Sequence, residues 1–210
     1  MRVLVACEES QEVCKAFRER GHEAYSCDVQ KCSGGVQKWH LQVDALELLK
    51  MKWELIIAHP PCTYLTTAGA VRLYNKDHTI KDTERFEKGK EAAKFFMKFY
   101  EADCKRIAIE NPVPLGVFCL PKYSQIIEPF MFGEPWRKRT CLWLKGLPPL
   151  MPTELVEPIG LWVGSTSAQR DPTQRDLTIN KRYILHRNRD QKRRSKTFPG
   201  IAKAMAEQWG

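Results

Sequence analysis

The sequence predicts an α/β protein built on an open, doubly wound sheet with helices on both faces. Short apolar runs alternate with segments of helical periodicity, which is typical of a mostly parallel sheet. Residues 2–27 have the length and pattern of one strand–helix–strand unit, whose parallel strands need a crossover connection. Residues 53–58 are almost wholly apolar, as expected of a strand that is covered on both faces.

The first unit begins with a β-branched, apolar strand at residues 2–7. We predict a helix at residues 11–20, with Ser10 as its N-cap and Gly21 as its stop. The second strand covers residues 22–27. Because the two strands are parallel, both end at the same edge of the sheet.

The remaining elements continue this alternation. We predict, in chain order, a helix at 41–50, a strand at 53–58, a helix at 83–100, a strand at 106–109, a short helix at 122–127, a strand at 140–144, an irregular proline-rich stretch at 146–158 and a helix at 201–209.

The chain is basic and has an ordinary hydrophobic content. Its 210 residues suit one domain, and 34 Lys and Arg against 25 Asp and Glu give a net charge of +9. This balance fits a polyanionic partner such as nucleic acid, and it fits a merely soluble basic protein equally well. No N-terminal signal pattern and no apolar stretch of membrane length is present, so we expect a cytoplasmic protein without membrane contact.

Eight cysteines are scattered along the chain without a CxxC pair, which argues against a structural zinc site. Thiols stay reduced in the cytoplasm, and most of these residues suit small core positions. Cys62 differs because it follows two prolines directly after an apolar strand. A stiff turn of this kind suits a reactive thiol, whereas a packing role would not need the prolines.

Polar or reactive residues follow four of the predicted strands. They are Cys7, Glu8, Glu9 and Ser10 after the strand at 2–7, Asp28 after the strand at 22–27, Pro60, Pro61 and Cys62 after the strand at 53–58, and Glu110 and Asn111 after the strand at 106–109. Ligands of doubly wound sheets sit outside the carboxyl ends of the strands. We therefore expect these residues to form one site.

Three motifs occur in a fixed order at these strand ends. They are Pro60, Pro61 and Cys62 with Leu65, Thr66, Ala68 and Gly69 after them; Glu110, Asn111 and Pro112; and Arg137, Lys138 and Arg139 before the strand at 140–144. In order and spacing they resemble the motifs of the DNA cytosine-5 methyltransferases, and residues 195–209 resemble that family's final motif and helix. The resemblance implies a Rossmann-like, S-adenosylmethionine-dependent methyltransferase sheet.

The same resemblance divides the chain into three regions. A catalytic core covers residues 1–148, and a C-terminal helix that packs back on the core covers residues 195–210. Between them, residues 149–194 form a short, basic insert rich in proline and arginine, where the family carries a full target-recognition domain.

The resemblance also implies roles for the catalytic residues. Cys62 would add to carbon 6 of cytosine as a thiolate, and Glu110 would lie beside ring nitrogen 3 and the amino group. Arg137 and Arg139 would position the base or its phosphate. Pro61, Thr63 and Asn111 would contact the substrate. Without the resemblance, Cys62 reads as a buried core thiol and Glu110 as a strand-end surface carboxylate.

The implied cofactor is S-adenosylmethionine. The residues expected to bind it are Ala6, Cys7, Glu8, Glu9, Ser10, Asp28, Asp44, His59 and Pro60. Asp28 would accept hydrogen bonds from the ribose hydroxyls. Asp44 would accept one from the adenine amino group, or it is simply a carboxylate at a helix N-terminus. The family's glycine-rich first loop is absent, because residues 7–10 all carry side chains.

The implied partner is DNA. Residues 181–196 contain eight Lys or Arg and one Asp, and we expect Arg187, Arg193 and Arg194 to contact phosphates there. The short insert suggests loose specificity, a single-stranded substrate, a free nucleotide, or a protein partner that recognises the target. A solvated linker before the last helix is the alternative for this segment.

Two other functions remain open at this stage. Residues 59–64 loosely resemble the Asp/Asn-Pro-Pro-Tyr motif of amino-methylating enzymes, although the aromatic residue is displaced and His59 replaces the acid or amide. The glycine-poor first loop favours a protein that binds nucleic acid but has lost the cofactor.

Overall fold

The computed structural model describes residues 1–163, 184–187 and 195–210. The strands in these ranges are β1 (Arg2–Ala6), β2 (Glu23–Cys27), β3 (His40–Leu41), β4 (Leu55–Ala58), β5 (Ile107–Pro112), β6 (Gln125–Ile127), β7 (Trp136–Arg137), β8 (Thr140–Lys145), β9 (Gly160–Val163) and β10 (Ile184–Arg187). The α-helices are α1 (Glu12–Glu19), α2 (Ala45–Leu48), α3 (Ala70–Leu73), α4 (Thr83–Tyr100) and α5 (Pro199–Trp209). Within these ranges, none of the helices has the length and apolarity needed to cross a membrane.

A seven-stranded sheet in the order β3-β2-β1-β4-β5-β8-β6 forms the centre of the molecule. The first five strands of that order are parallel, whereas β8 is antiparallel to both β5 and β6. This arrangement confirms the predicted α/β, Rossmann-like fold class. A second sheet, in the order β10-β9-β7, pairs its strands in parallel.

Both faces of the large sheet are covered, because alternate residues of the central strands point into two different cores. One core contains Leu4 and Ile56 with Phe96 and Phe99 of α4. The other core contains residues from β1 and β4 together with α1 and α5, and its members include Val3, Val5, Phe17, Leu55, Ile57, Met205 and Trp209. The near-continuous apolar sequence of β4 follows from this two-sided burial.

Two predicted helices are wrong in whole or in part. Residues 125–127 form strand β6 instead of a helix, because they pair with the antiparallel strand β8 at the edge of the sheet. Local pattern cannot report such a distant partner. Residues 41–50 divide into the end of β3 and the shorter helix α2, since Asp44 accepts a hydrogen bond from the backbone N–H of Leu46 and starts the helix there.

Candidate active site

The carboxyl ends of the parallel strands bring the predicted motifs to one edge. The backbone N–H of His59 donates to the carbonyl of Ala6 at 2.9 Å, and that of Glu8 donates to the carbonyl of Cys27 at 2.9 Å. Because β8 runs antiparallel, its first residue Thr140 lies opposite Pro112 at the end of β5. The Arg137–Arg139 segment therefore reaches the same edge as Glu110.

The loop after β1 bends through left-handed backbone at Cys7 (φ 59°) and Gln11 (φ 61°). The predicted N-cap is wrong, because Ser10 does not cap α1. The carboxylate of Glu8 does so instead, accepting the backbone N–H of Val13 at 2.7 Å and that of Cys14 at 3.2 Å. A side chain can cap from this distance in sequence only because the loop turns back on the helix.

Burial raises the pKa values of two side chains in this loop. Burial raises the pKa of the Cys7 thiol, and nearby Asp28 adds to the effect. Burial also raises the pKa of Glu8 to about 7, against the lowering effects of His59 and of the two backbone hydrogen bonds. Glu8 therefore titrates near neutral pH, whereas most Glu side chains lose their proton well below pH 7.

Residues 33–36 cover the β1–α1 loop. The N–H and the hydroxyl of Ser33 bond to Glu9, and the side-chain amide of Gln11 makes two hydrogen bonds to the backbone of Val36. A Cβ at Gly34 would lie 2.4 Å from the carbonyl oxygen of Ser10. The glycine that permits close backbone approach is thus in the covering segment, and the loop itself has none.

The two acidic residues expected to bind cofactor lie at the ends of neighbouring strands. Asp28 follows β2, is partly buried, and accepts the backbone N–H of Gln30 at 2.8 Å. Asp44 is exposed and caps α2 through Leu46 at 3.0 Å. The helix-terminal role considered for Asp44 is therefore present in the structure.

The loop that carries Cys62 is held from two sides. Arg85 of α4 donates to the carbonyl of Thr63 at 2.7 Å. On the other side, the N–H of Leu115, which follows β5, donates to the carbonyl of Leu65 at 2.7 Å. Cys62 is partly buried, while Pro61 and Thr63 are exposed on the same loop.

Asn111 connects the motif at the end of β5 to the motif that follows β4. Its Nδ2 donates to the carbonyl of Pro60 at 2.8 Å, and its side chain is almost completely buried. Its Oδ1 is buried without a hydrogen-bond partner among the described residues. Asn111 was expected to contact the substrate, and in the structure it supports the turn before Cys62.

Glu110 and His59 form a close pair at the centre of the site. His59 Nδ1 lies 2.9 Å from Glu110 Oε2, and each side chain is 12% exposed. Thr197, which precedes α5, donates its hydroxyl to the same Oε2 at 3.2 Å. The segment before the last helix thereby contacts the edge of the sheet where β5 ends.

The pair shifts both pKa values. Burial alone would lower the pKa of His59, but the hydrogen bond and charge of Glu110 raise it above its usual value. Burial alone would raise the pKa of Glu110, but the hydrogen bond and charge of His59, helped by Lys138 and Thr197, lower it to about 2. Each side chain therefore favours the charged form of the other.

The two arginines of the third motif lie at the surface. Arg137 is 3.9 Å from the carboxylate of Glu128, and its guanidinium carbon lies 5.3 Å from the centre of the Phe130 ring. Arg139 is also exposed. Both arginines lower the pKa of Glu128, although burial outweighs them and raises it.

Sequence reasoning missed Lys138, Thr197 and the His59–Glu110 pair. Lys138 acts electrostatically on both members of that pair and lies 5.7 Å from the Phe198 ring. The sequence did offer one signal for Lys138. In an extended segment successive side chains point to opposite sides, so Lys138 is expected on the side opposite to Arg137 and Arg139. Thr197 gave no signal, since its contact spans 87 positions.

The remaining predicted contacts involve the basic segment. Arg187 lies in β10, whereas Arg193 and Arg194 lie outside the described residues. Among the described residues, no group of three or more His, Cys, Asp or Glu is arranged to hold a metal ion.

No family model and no curated protein matched the chain. Several solved structures are similar to part of the chain. One is a protein described as a DNA modification methyltransferase encoded within a prophage (E. coli), with a TM-score of 0.46 and 12% identity over 75% of this chain. Another is the Entamoeba histolytica methyltransferase EhMeth, with a TM-score of 0.47 and 14% identity over 74% of this chain. A third is the S. pombe Dnmt2 methyltransferase, with a TM-score of 0.41 and 13% identity over 71%.

The chain spans about half the length of these proteins, matching 52%, 57% and 51% of them in the same order.

Proposed function

We propose that the chain is an S-adenosylmethionine-dependent methyltransferase that acts on carbon 5 of cytosine in DNA, with Cys62 as the nucleophile. The observation that carries this proposal is the joining of two motifs 51 positions apart by the hydrogen bond from Asn111 to Pro60. Cys62 follows β4 and Glu110 lies near the end of β5, and these parallel strands are neighbours in the sheet, which brings the two residues to the same edge.

The chemistry needs a thiolate and a carboxylate on one base. The Cys62 thiolate forms a bond to carbon 6, which makes carbon 5 nucleophilic. Carbon 5 would then take the methyl group from the sulfonium of S-adenosylmethionine, with S-adenosylhomocysteine as the leaving group. Loss of the carbon 5 proton to a base would break the bond from sulfur to carbon 6 and release the thiolate. Glu110 holds the amino side of the ring during these steps.

The residues at the ends of β1 to β4 fit the cofactor, which supplies an electrophilic methyl group when bound. Asp28 and Asp44 provide carboxylate acceptors for ribose hydroxyls and an adenine amino group. The backbone of the loop after β1 is left-handed at Cys7. His59 Nε2 is buried without a hydrogen-bond partner in the described part of the chain, which suits a site that is completed by a ligand.

The positive charge of the chain favours DNA as the substrate. The net charge of +9 favours a polyanion, and Arg137 and Arg139 are exposed beside the catalytic edge. A cytosine in a duplex has to leave the base stack to reach Cys62. With a short insert at 149–194, a single strand is the easier substrate, and a protein partner would supply recognition of a duplex site.

One observation favours a second candidate, a nucleic-acid-binding protein without the cofactor. Glu9, Ser10 and Gln11 are buried, and residues 33–36 engage this loop through hydrogen bonds and close backbone approach. A loop that is satisfied by the protein itself has less to offer a ligand.

Methyl transfer from labelled cofactor tests the proposal. We expect label in cytosine-containing DNA, none with Cys62→Ser, and full activity with Cys119→Ser, because Cys119 is exposed and belongs to none of the three motifs. Trapping on 5-fluorocytosine DNA should depend on Cys62 in the same way. Absence of transfer to DNA, RNA and cytidine nucleotides would refute the proposal, and absence of S-adenosylhomocysteine binding by calorimetry would favour the second candidate.

A further inference from the structure

The catalytic carboxylate is already engaged by the protein on one side. His59 Nδ1 and Thr197 Oγ1 both contact Oε2 of Glu110, at 2.9 and 3.2 Å. A carboxylate oxygen that accepts from an imidazole and a hydroxyl has little capacity left for a third donor. Any substrate contact of Glu110 therefore falls to Oε1.

Each member of the pair favours the charged form of the other. The hydrogen bond and charge of Glu110 raise the pKa of His59, and those of His59 lower the pKa of Glu110. Lys138, from the turn between β7 and β8, favours the ionised form of Glu110 but opposes protonation of His59, whereas Glu8, from the β1–α1 loop, favours protonation of His59 when Glu8 is ionised. A hydrogen bond between an imidazolium and a carboxylate is of the strong, charge-assisted kind.

We propose that His59 is a positioning residue that keeps Glu110 ionised, so that Glu110 meets the base only as a hydrogen-bond acceptor through Oε1. The assignment of the base rests on the proposed function, whereas the state of the pair does not. The group recognised is then an N–H donor on the base, namely the amino group at carbon 4 of cytosine.

This assignment makes a chemical distinction. A neutral glutamic acid could donate to ring nitrogen 3 and would still bind a pyrimidine that lacks the amino group. An ionised Glu110 loses its only partner on such a base and faces the lone pair of ring nitrogen 3. Deleting the amino group should therefore weaken binding at least tenfold, because Oε1 of the buried carboxylate loses its hydrogen-bond donor on the base.

The first experiment measures the protonation of His59 directly and does not require methyltransferase activity. In the full chain, nitrogen-detected NMR follows the five histidines through a pH titration of the wild type and of Glu110→Gln. We expect His59 to titrate above its usual pKa in the wild type and well below that value in Glu110→Gln, where burial remains but the negative charge is gone. Titration of wild-type His59 at or below the usual value, or no change in the variant, overturns the proposal.

The second experiment measures how the His59–Glu110 pair affects the choice of base in DNA binding. Binding of single-stranded DNA containing either cytosine or 2-pyrimidinone is compared in Cys62→Ser, which cannot form the adduct. We expect a preference for cytosine of at least tenfold in that background, reduced when His59→Gln is added, because Gln keeps a donor but removes the charge. Thr197→Val is the matched control, since it removes a neutral contact to the same oxygen and should keep the preference.

The outcomes separate the two proposals. If His59 titrates as expected but neither DNA is preferred, the ion pair stands and the cytosine assignment of the proposed function fails. If 2-pyrimidinone binds as well as cytosine while methyl transfer to DNA is observed, the acceptor role of Glu110 is refuted and the proposed function survives.

Discussion

The side-chain nitrogen of Asn111 donates a hydrogen bond to the carbonyl oxygen of Pro60 over 2.8 Å, tying strand β5 to the turn that carries Cys62. The contact is buried and spans 51 positions of sequence. It links the turn before Cys62 to the residue that follows Glu110 directly.

Replacing Asn111 by Leu should loosen the turn. The change keeps the approximate size but leaves the Pro60 carbonyl without this donor, which costs about 1–3 kcal/mol of unfolding free energy. We also expect slower trapping of Cys62 by 5-fluorocytosine DNA, because the thiol is no longer held in place. Chemical denaturation and trapping rates measure the two effects.

Asn75→Leu is the control, since Asn75 is exposed and bonds to Thr79 nearby. It should change stability by less than about 0.5 kcal/mol. Equal losses in both variants would contradict a special role for Asn111.

Glu8 should make stability fall as the pH rises toward neutrality. Its pKa is about 7 in the folded protein against an ordinary value of 4.5, so the folded state favours the protonated form. The stabilising contribution is complete below pH 4.5 and is lost as the pH rises through 7. Glu8→Gln removes this titration and should flatten the decline by on the order of 3 kcal/mol between those limits.

Unfolding free energies of both proteins, measured from pH 4.5 to 8, test this. The difference between the two curves isolates Glu8, because the other titrating groups are common to both proteins. A difference that does not vary with pH would show that the carboxyl group is not shifted.

Gly34→Ala should displace the β1–α1 loop. The added Cβ would lie 2.4 Å from the Ser10 carbonyl oxygen and 2.5 Å from Gln11 Cβ, so the backbone has to move. We expect a loss of about 1–3 kcal/mol in stability, as for other overpacked sites. S-adenosylhomocysteine binding should also weaken if residues 7–10 hold the cofactor.

Gly116→Ala is the matched control, because nothing lies within 4 Å of the Cβ it would add. Thermal unfolding and calorimetry on the two variants give the comparison. Unchanged ligand binding in a destabilised Gly34→Ala protein would remove the loop from the cofactor site.

Arg137→Gln combined with Arg139→Gln should weaken DNA binding in a salt-dependent way. If each arginine neutralises one phosphate, the slope of log K against log salt falls by about 1 for each. Lys52→Gln serves as the control, because Lys52 precedes β4 at the opposite edge of the sheet and is exposed. An equal change of slope in the control would mean that the effect comes from net charge alone.

The fold class could be predicted from the sequence because β4 is buried on both faces, and such a strand appears in the sequence as a short apolar run. The strand ends at Cys27 and Ala58 were predicted, and the first strand ends at Ala6, one residue earlier than predicted; the sheet brings the three ends together as expected. Strand β6 escaped prediction because only its pairing with β8 makes it a strand. The capping of α1 by Glu8 escaped as well, since it depends on left-handed backbone at Cys7 and Gln11.

The sequence by itself determined which chemical groups stand at the carboxyl edge, because motif order and strand alternation are local properties. Only the tertiary structure decided how those groups are charged and held. His59 meets Glu110 across 51 positions, and Thr197 meets it across 87. Their effect on Glu110 depends on distance and burial, and both are created by packing rather than by neighbours in the chain.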